Sequence, residues 1–326
     1  METASRNIWV LRLREDPLIR SIVATVGLIL LVGFAVLLMG DAGWISLSYI
    51  NHRLPYFLHL GGGWQSFTVA GTQIAYLVQY PVGPITLSLG ATMISFVIGF
   101  GLAIPMGMLR AFGPNLIRAG GGRSLVVRPL YYFVTGYDEA MRGTPAFVQI
   151  LLISAVIERV LPATTPNIEF WAGTLALTIN TIGYQSEVFR AGFQSVGQGQ
   201  IEAAKSIGMT PLRTFLHITL PQGLRLIVLP LTNEWIGLFK ASALLYYIAV
   251  QEAMWAAFHL SYIDVKPVEA FLMVSFYYLL IMVPLSKVIT YVEKKKRIPG
   301  LGTVEPVRKR WVRPGARAPS AVVAVR

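Results

Sequence analysis

Cysteine is absent from this 326-residue chain, and charged residues make up only 13% of it. Without cysteine the chain can form no disulfide, thiolate metal ligand or cysteine nucleophile. The four histidines are scattered without the spacing of a metal site, so we expect no metal ligands among them. Soluble domains carry about 25% charged residues. The low charge, together with 54% hydrophobic residues, predicts a membrane protein.

Acidic residues are scarce: 16 Asp and Glu stand against 28 Lys and Arg, which gives a formal net charge of +12. Such an excess can mark a nucleic-acid-binding protein. In a chain with several apolar spans, however, basic residues more often record membrane topology. We therefore expect no nucleic-acid partner. The chain also has no paired catalytic motif, and we assign it no catalytic residue.

Apolar segments predict an all-α polytopic membrane protein with about six transmembrane helices, since about 20 apolar residues span a bilayer. The six segments cover residues 21–39, 85–109, 146–161, 168–186, 222–249 and 268–292. The first resembles a signal peptide in position. It is long for the apolar core of one, and no small-residue cleavage site follows, so we interpret it as a retained helix.

The distribution of basic residues predicts the orientation of these spans. With six spans, 24 of the 28 lysines and arginines fall on the side of the amino terminus and three on the other, while Lys240 lies inside the fifth span. Cytoplasmic segments of membrane proteins are enriched in Lys and Arg. Both termini, and the polar stretch 187–220, are therefore predicted to be cytoplasmic.

A short helix is predicted inside residues 187–220, which we call the knob. Ser195 and Gln198 have the spacing of a capping box, in which two side chains satisfy free backbone N–H groups at a helix start. We expect this helix to end at Gly208, because glycine best adopts the left-handed conformation of a helix cap. One side of the helix would be formed by Ile201, Ala204 and Ile207.

A second helix is predicted to follow at once. Thr210 can cap a helix, and Pro211 is favoured at the first helical position. Two helices around a tight break would make the knob a compact, stiff unit.

The knob resembles the EAA loop of ABC importer permeases. The resemblance rests on Glu202-Ala203-Ala204, on Gly208 and on the run Ile218-Thr219-Leu220-Pro221. The polar amino-acid branch of that family is indicated by Glu187, Arg190, Gly192, Ser195, Gln198, Gln200 and Ser206. In the family this loop docks in a groove of the ATPase subunit. The resemblance therefore implies that the residues that couple to the ATPase include Glu202, Ala203, Ala204, Gly208, Arg190 and Ser195.

Two more segments are similar to the family. Arg142-Gly143-Thr144-Pro145, with Gln149 shortly after it, looks like the family signature at the cytoplasmic start of a span. Residues 233–244, NEWIGLFKASAL, resemble a second family segment. The family segment has Asp, Thr and Ser at three consecutive positions. At these positions this chain has Ala241, Ser242 and Ala243.

Polar residues inside apolar spans predict a translocation path or gate, because they are costly unless they face a bundle interior or an aqueous cavity. The candidates are Gln149, Asn180, Asn233, Glu234 and Lys240. An alternative is that Glu234 and Lys240 lie near the membrane interfaces and are simply solvated.

A stripe of small residues in the second span predicts close helix packing. The stripe consists of Ala91, Ser95, Gly99, Ala103 and Gly107. Its contact can be a helix of this chain or a partner subunit.

No phosphate-binding loop of the Walker A type is present in the sequence. The nearest match, residues 199–206, has Ala204 in place of the second glycine and no strand before it. We therefore predict that the chain is not an enzyme and binds no cofactor of its own. The resemblance implies that ATP and Mg²⁺ bind a separate ABC ATPase dimer. It also implies an extracytoplasmic substrate-binding protein and a second permease subunit, identical or different, in the lipid bilayer.

The resemblance implies a permease subunit of an ATP-driven importer for polar amino acids in the cell membrane, with five spans as its core. The division of the chain would be a basic cytoplasmic amino terminus (1–20), an extra transmembrane helix (21–39), an extracytoplasmic connection (40–84), a transmembrane permease domain (85–292) and a basic, disordered cytoplasmic tail (293–326). Two alternatives stay open: an ATP-independent carrier or channel, and a membrane scaffold that recruits a cytosolic partner.

Overall fold

The computed structural model describes residues 45–46, 48–51, 53, 64–69, 72–77, 83–162 and 164–296. The predicted amino terminus 1–20, the extra helix 21–39 and the tail beyond residue 296 lie outside these residues.

The described part of the chain is mostly helical. Its strands are β1 (Trp64–Val69) and β2 (Thr72–Leu77), and its helices are α1 (Pro84–Arg118), α2 (Gly122–Gly143), α3 (Ala146–Val160), α4 (Ile168–Gln194), α5 (Gln198–Ser206), α6 (Pro211–Thr214), α7 (Leu220–Ala241), α8 (Ala253–Ile263) and α9 (Pro267–Lys296). A π turn, Phe215–Thr219, joins α6 to α7, and a 3₁₀ helix, Ser242–Ile248, follows α7.

The strands correct the all-α prediction. β1 and β2 pair antiparallel, from Trp64 opposite Leu77 to Val69 opposite Thr72, inside the predicted connection 40–84. The two runs are rich in aromatic, branched and threonine residues and are separated by two residues that include Gly71. That pattern is typical of a β-hairpin, so the signal was present in the sequence.

Three helical stretches are long and apolar enough to cross a membrane: Pro84–Arg118, Pro211–Ile248 and Pro267–Ile289. A fourth exists if Ser124–Gly143 and Ala146–Val160 form one span across the 112° bend between them. With its 15 residues α3 is about 22 Å long, shorter than the hydrocarbon core of a bilayer. The described residues thus contain three or four such helices, and the count of six stays a prediction.

The end of the knob and the fifth predicted span belong to one helical stretch, and the membrane boundary between them at Gln222 stays a prediction. One helical stretch runs from Pro211 to Ile248 without a break. Pro221 does not end it, because the wider π turn directly before Pro221 relieves the clash of the proline ring with the preceding turn. The tail was predicted to be disordered from residue 293, but α9 continues to Lys296.

Helix α4 lies at the centre of the bundle, and α1 packs along it. All five residues of the small stripe are buried in this contact. A Cβ atom on Gly99 would lie 2.6 Å from Cγ2 of Thr181, and one on Gly107 would lie 2.5 Å from Cβ of Phe189. The stripe therefore meets a helix of its own chain, and the alternative of a partner subunit at this face is wrong.

A second close approach joins α4 to α7. A Cβ atom on Gly192 would lie 2.1 Å from Cγ2 of Ile227, and one on Gly223 would lie 3.2 Å from the carbonyl oxygen of Gly192. The two backbones can come this near only because neither glycine has a side chain. This contact lies close to the start of the knob.

The opposite end of the bundle carries a buried ion pair. Arg53 Nη2 lies 2.9 Å from Asp264 Oδ1, and the hydroxyl of Tyr49 donates to the other carboxylate oxygen at 2.7 Å. The backbone N–H of Ser46 donates to Glu269 at 2.9 Å. These bonds fix Ser46, Tyr49 and Arg53, in the predicted connection, to the end of α8 and the start of α9.

Candidate functional site

The knob begins with a helix end. Ser195 is the C-cap residue of α4, and its hydroxyl donates to the carbonyl oxygen of Gly192 at 2.7 Å. Helix α5 starts at Gln198 behind Gly197, which offers no capping side chain. The predicted capping box between Ser195 and Gln198 is therefore wrong, because the preceding helix already uses the serine hydroxyl.

The predicted glycine cap is present at the end of α5. Gly208 has a φ of +81°, and its N–H donates to the carbonyl of Lys205 at 3.0 Å. The N–H of Met209 donates to the carbonyl of Ala204 at 3.0 Å. These two bonds form a Schellman motif, which needs a left-handed residue at this position. Thr210 then caps α6 with its side chain, as predicted.

The surface of the knob combines predicted coupling residues with two large apolar side chains. Glu202 and Ala203 are exposed on α5, whereas Ala204 is buried. Ile207, predicted to share the side of Ala204, is 78% exposed because the helix ends there. Leu212 is 66% exposed, and no sequence pattern marked it. Exposed apolar groups beside small and acidic ones suit a protein partner.

A charge cluster of five side chains joins the knob to three helices. Glu187 Oε2 lies 2.7 Å from Arg110 Nη1 of α1 and 3.6 Å from Arg142 Nη1 of α2. The Nε of Arg190 donates to the same carboxylate at 2.9 Å. Arg110 Nη1 also lies 2.7 Å from Asp138 Oδ2. The ends of α1, α2 and α4 are thus held together where the knob begins.

The sequence analysis did not predict two members of the charge cluster. Arg110 and Asp138 are 28 residues apart, so no local spacing links them. Asp138 is completely buried and also accepts a hydrogen bond from the hydroxyl of Ser186. One signal was available: Asp138 is the first acidic residue after Asp41, at the end of a long basic and apolar segment.

Glu187 stays ionised at any physiological pH. It begins the knob, beyond the predicted fourth span. Hydrogen bonds from Arg190, together with the positive charges of Arg190, Arg110 and Arg142, lower the pKa of the Glu187 carboxyl to about 2 against the opposing effect of burial. The carboxylate therefore holds its arginines throughout the pH range of the cell.

The Arg142-Gly143-Thr144-Pro145 motif forms the bend between α2 and α3. Pro145 is the N-cap residue of α3, and the Thr144 hydroxyl donates to a carbonyl one turn earlier in α2. The Gln149 amide nitrogen donates to the carbonyl of Met141 at 2.9 Å, which ties α3 back to α2. Its amide oxygen accepts from Asn180 Nδ2 of α4 at 2.8 Å. The bend is therefore fixed to the central helix.

The structure brings three of the five predicted path residues to one part of α4. Gln149 and Asn180 are bonded to each other, and the adjacent Thr181 donates to Glu234 Oε1 of α7 at 3.1 Å. All of these groups are amides, hydroxyls or carboxylates. Such groups can pair with the charged ends of a small polar molecule.

The other two predicted path residues do not join this group. Asn233 and Lys240 are exposed on α7. Lys240 borders an open, mainly apolar cavity between α7 and α9, whose other lining residues are Ala243, Met254, Phe271, Val274, Ser275 and Tyr278.

Within the described ranges, no group of three or more His, Asp or Glu side chains is placed to hold a metal ion. In the cluster around Glu187, arginines occupy the carboxylate oxygens.

Comparison with known proteins finds relatives among transport permeases. The family model described as binding-protein-dependent transport system inner membrane component matches residues 103–298. A probable glutamine ABC transporter permease protein of Bacillus subtilis (strain 168) is 37% identical over 53% of this chain and 79% of its own length. A glutamate/aspartate import permease protein of Escherichia coli (strain K12) is 31% identical over 66% of this chain and 85% of its own.

A solved structure agrees with these relatives. The crystal structure of an amino acid ABC transporter with histidines is similar with a TM-score of 0.54 and 28% identity, over 65% of this chain and 92% of the matched chain. The resemblance to ABC importer permeases is confirmed. Because the family model matches more than half of its length, this chain belongs to the family of inner membrane components of binding-protein-dependent transport systems.

Proposed function

We propose that this chain is the permease subunit of an ATP-driven importer of polar amino acids and that its knob is the contact for a separate ATPase. The observation that carries the proposal is the direct connection of the knob to the helices of the bundle. Helix α4 continues into the start of the knob, and the helical stretch from Pro211 to Ile248 includes the end of the knob. The charge cluster ties the start of the knob to α1 and α2. A force on the knob is thereby transmitted to the helices of the bundle.

The proposed assembly follows from the family. An ATPase dimer binds ATP and Mg²⁺ in the cytoplasm and moves the knobs, one per permease subunit. An extracytoplasmic binding protein delivers the cargo, and a second permease subunit completes the path. This multi-pass cell-membrane protein then has both termini in the cytoplasm, six spans, and the permease domain at 85–292.

The cargo is proposed from two observations that agree. The named relatives and the similar solved structure are transporters of amino acids. In this chain, Gln149, Asn180 and Glu234 meet around α4 and offer amide and carboxylate groups at the depth of the bundle. Polar groups of this kind can hydrogen-bond the ammonium and carboxylate of an amino acid, and they support a path along α4.

Reconstitution tests the proposal. The chain is placed in proteoliposomes with its ATPase, its partner permease and its binding protein, and uptake of radiolabelled glutamine, glutamate, histidine and arginine is measured. We expect uptake of at least one of them only when both the ATPase and ATP are present. Uptake by the chain alone would support an ATP-independent carrier, and capture of a partner without ATPase activity by the knob would support a scaffold.

Gly208→Val is expected to reduce uptake at least tenfold while leaving the amount of protein in the membrane unchanged. A left-handed backbone costs a residue with a Cβ roughly 1–2 kcal/mol, and a β-branched one more, so the Schellman cap is lost and the knob loosens. The measurement is ATP-driven uptake per assembled complex.

The matched control is Gly199→Val in the same knob. Gly199 is helical, and a Cβ atom there meets nothing of this chain within 4 Å, so the fold of the knob should be kept and uptake should fall less than in Gly208→Val. Equal uptake by the two variants would show that the cap at Gly208 does not serve coupling.

A further inference from the structure

Helix α2 presents three different sides. One packs into the protein through Val134 and Asp138, both buried. A second is exposed and carries Arg128 and Glu139 together with the amphipathic side chain of Tyr132. The third is exposed and apolar, and it is formed by Leu125, Val126, Leu130 and Phe133, which are 49% to 78% exposed. A helix with separate apolar and polar exposed sides is suited to the interface between a membrane and water.

The direction of α2 fits the plane of a membrane. Its axis makes an angle of 112° with that of α3, which is 22° more than a right angle. Helix α3 packs along the central helix α4, to which Gln149 and Asn180 join it. If α3 follows the membrane normal, α2 lies within about 22° of the membrane plane.

The depth of α2 follows from its contacts with α1. Asp138 pairs with Arg110, and Tyr131 lies against Gly113. Helix α1 rises about 39 Å between Pro84 and Arg110, at 1.5 Å per residue. A bilayer is about 40–45 Å thick with its headgroups. If α1 starts at the outer surface, α2 lies at the level of the inner headgroups.

The charge of this region matches an anionic lipid surface. Residues 118–143 contain four arginines, Arg118, Arg123, Arg128 and Arg142, against two acidic residues, Asp138 and Glu139, of which Asp138 is paired with Arg110 of α1. The cytoplasmic leaflet carries anionic lipids that attract such segments, and arginine can bury its stem while its charge stays among the headgroups.

We propose that α2 is an interfacial helix that binds the anionic cytoplasmic leaflet. Its apolar side enters the boundary of the acyl chains, and Arg128 on the adjoining side pairs with lipid phosphates. The helix thereby anchors the bend at residues 142–145, and with it the charge cluster, at a fixed depth. The inference rests on the cytoplasmic location that the proposed function gives to this end of the bundle.

Single labels locate the helix in the bilayer. Because the chain has no cysteine, Phe133→Cys and Glu139→Cys each create one nitroxide site in this chain. The labelled chain is assembled with cysteine-free variants of the other subunits in nanodiscs of phosphatidylcholine with phosphatidylglycerol. We expect the label at position 133 to collide with oxygen and be shielded from an aqueous nickel chelate, with the reverse at position 139. A water-accessible label at 133, or close coupling between the 133 labels of two subunits, would overturn the proposal.

Titration with anionic lipid tests the contact between Arg128 and lipid phosphates. Arg128→Gln should weaken the apparent affinity for phosphatidylglycerol about fivefold, the value of one arginine at such a surface. Arg159→Gln, an exposed arginine at the far end of α3, should not change it. Equal affinities for the two variants would contradict a lipid contact at Arg128. ATP-dependent uptake in both variants would show that the proposed function stands in either case.

Discussion

Gly107→Leu is expected to remove most of the folded permease from the membrane. A Cβ atom at this position would lie 2.5 Å from Cβ of Phe189 and 2.8 Å from the backbone oxygen of Ser186. Neither neighbour can rotate away, because one atom is backbone and the other is bound directly to it. Overpacking a core costs about 1–3 kcal/mol even where side chains can adjust, so we expect about 3 kcal/mol or more here.

Folded yield and thermal unfolding of the purified complex measure this effect. Gly101→Leu is the matched control, because it adds the same side chain to the same helix at a position where a Cβ atom meets nothing within 4 Å. It should leave yield and unfolding temperature within a few degrees of the native values. Equal stability of the two variants would show that α1 can move away from α4 at little cost.

Close helix packing at Gly107 could be read from the sequence because it depends on local spacing. Small residues every four positions lie on one face of a helix whatever surrounds it. The same holds for Gly208, whose left-handed cap is a property of one residue and its neighbours. The spacing could not predict which helix contacts the small stripe. The structure shows that the small stripe contacts α4 of its own chain.

The capping box failed for a physical reason that local spacing cannot reveal. Ser195 has one hydroxyl, and two helices compete for it. Helix α4 ends only one residue before Ser195, so the hydroxyl donates backwards to Gly192 and is lost to α5. Serine is common both at the amino end and at the carboxyl end of helices. Which helix binds the Ser195 hydroxyl therefore depends on where α4 ends.

The charge cluster and the continuous stretch from Pro211 to Ile248 could not be predicted either. Arg110 and Glu187 are 77 residues apart, and only the packing of α1 on α4 brings them together. Proline at position 221 favours a helix boundary, and the π turn that accommodates it has no sequence signature.

The position of α4 connects motifs that seemed separate in the sequence. The bend motif at residues 142–145 touches α4 through Gln149 and Asn180, and Arg142 reaches Glu187 at the start of the knob. A displacement of the knob therefore acts on α4 and on the bend together. We therefore expect the charge cluster to couple the movements of α1, α2 and α4 in addition to stabilising the fold.

Arg110→Gln is expected to destabilise the permease by about 3 kcal/mol and to abolish ATP-driven uptake. Arg110 is 11% exposed and pairs with both Asp138, which is 0% exposed, and Glu187. Removing one partner of a buried ion pair typically costs 3–5 kcal/mol, because the other charge stays buried without compensation. We take the lower end, since the Glu187 side chain is 23% exposed and keeps its other arginines.

A double-mutant cycle identifies the buried charge as the cause. Arg110→Gln combined with Asp138→Asn leaves no unpaired carboxylate at this position, so thermal unfolding of the double variant should recover part of the loss caused by Arg110→Gln alone. Arg118→Gln, an exposed arginine two turns further along the same helix, should have little effect. If stability recovers in the double variant but uptake does not, the arginine is needed for the relative movement of the three helices. If the two losses simply add, the pair of Arg110 and Asp138 contributes nothing of its own, and the cluster is held by Glu187.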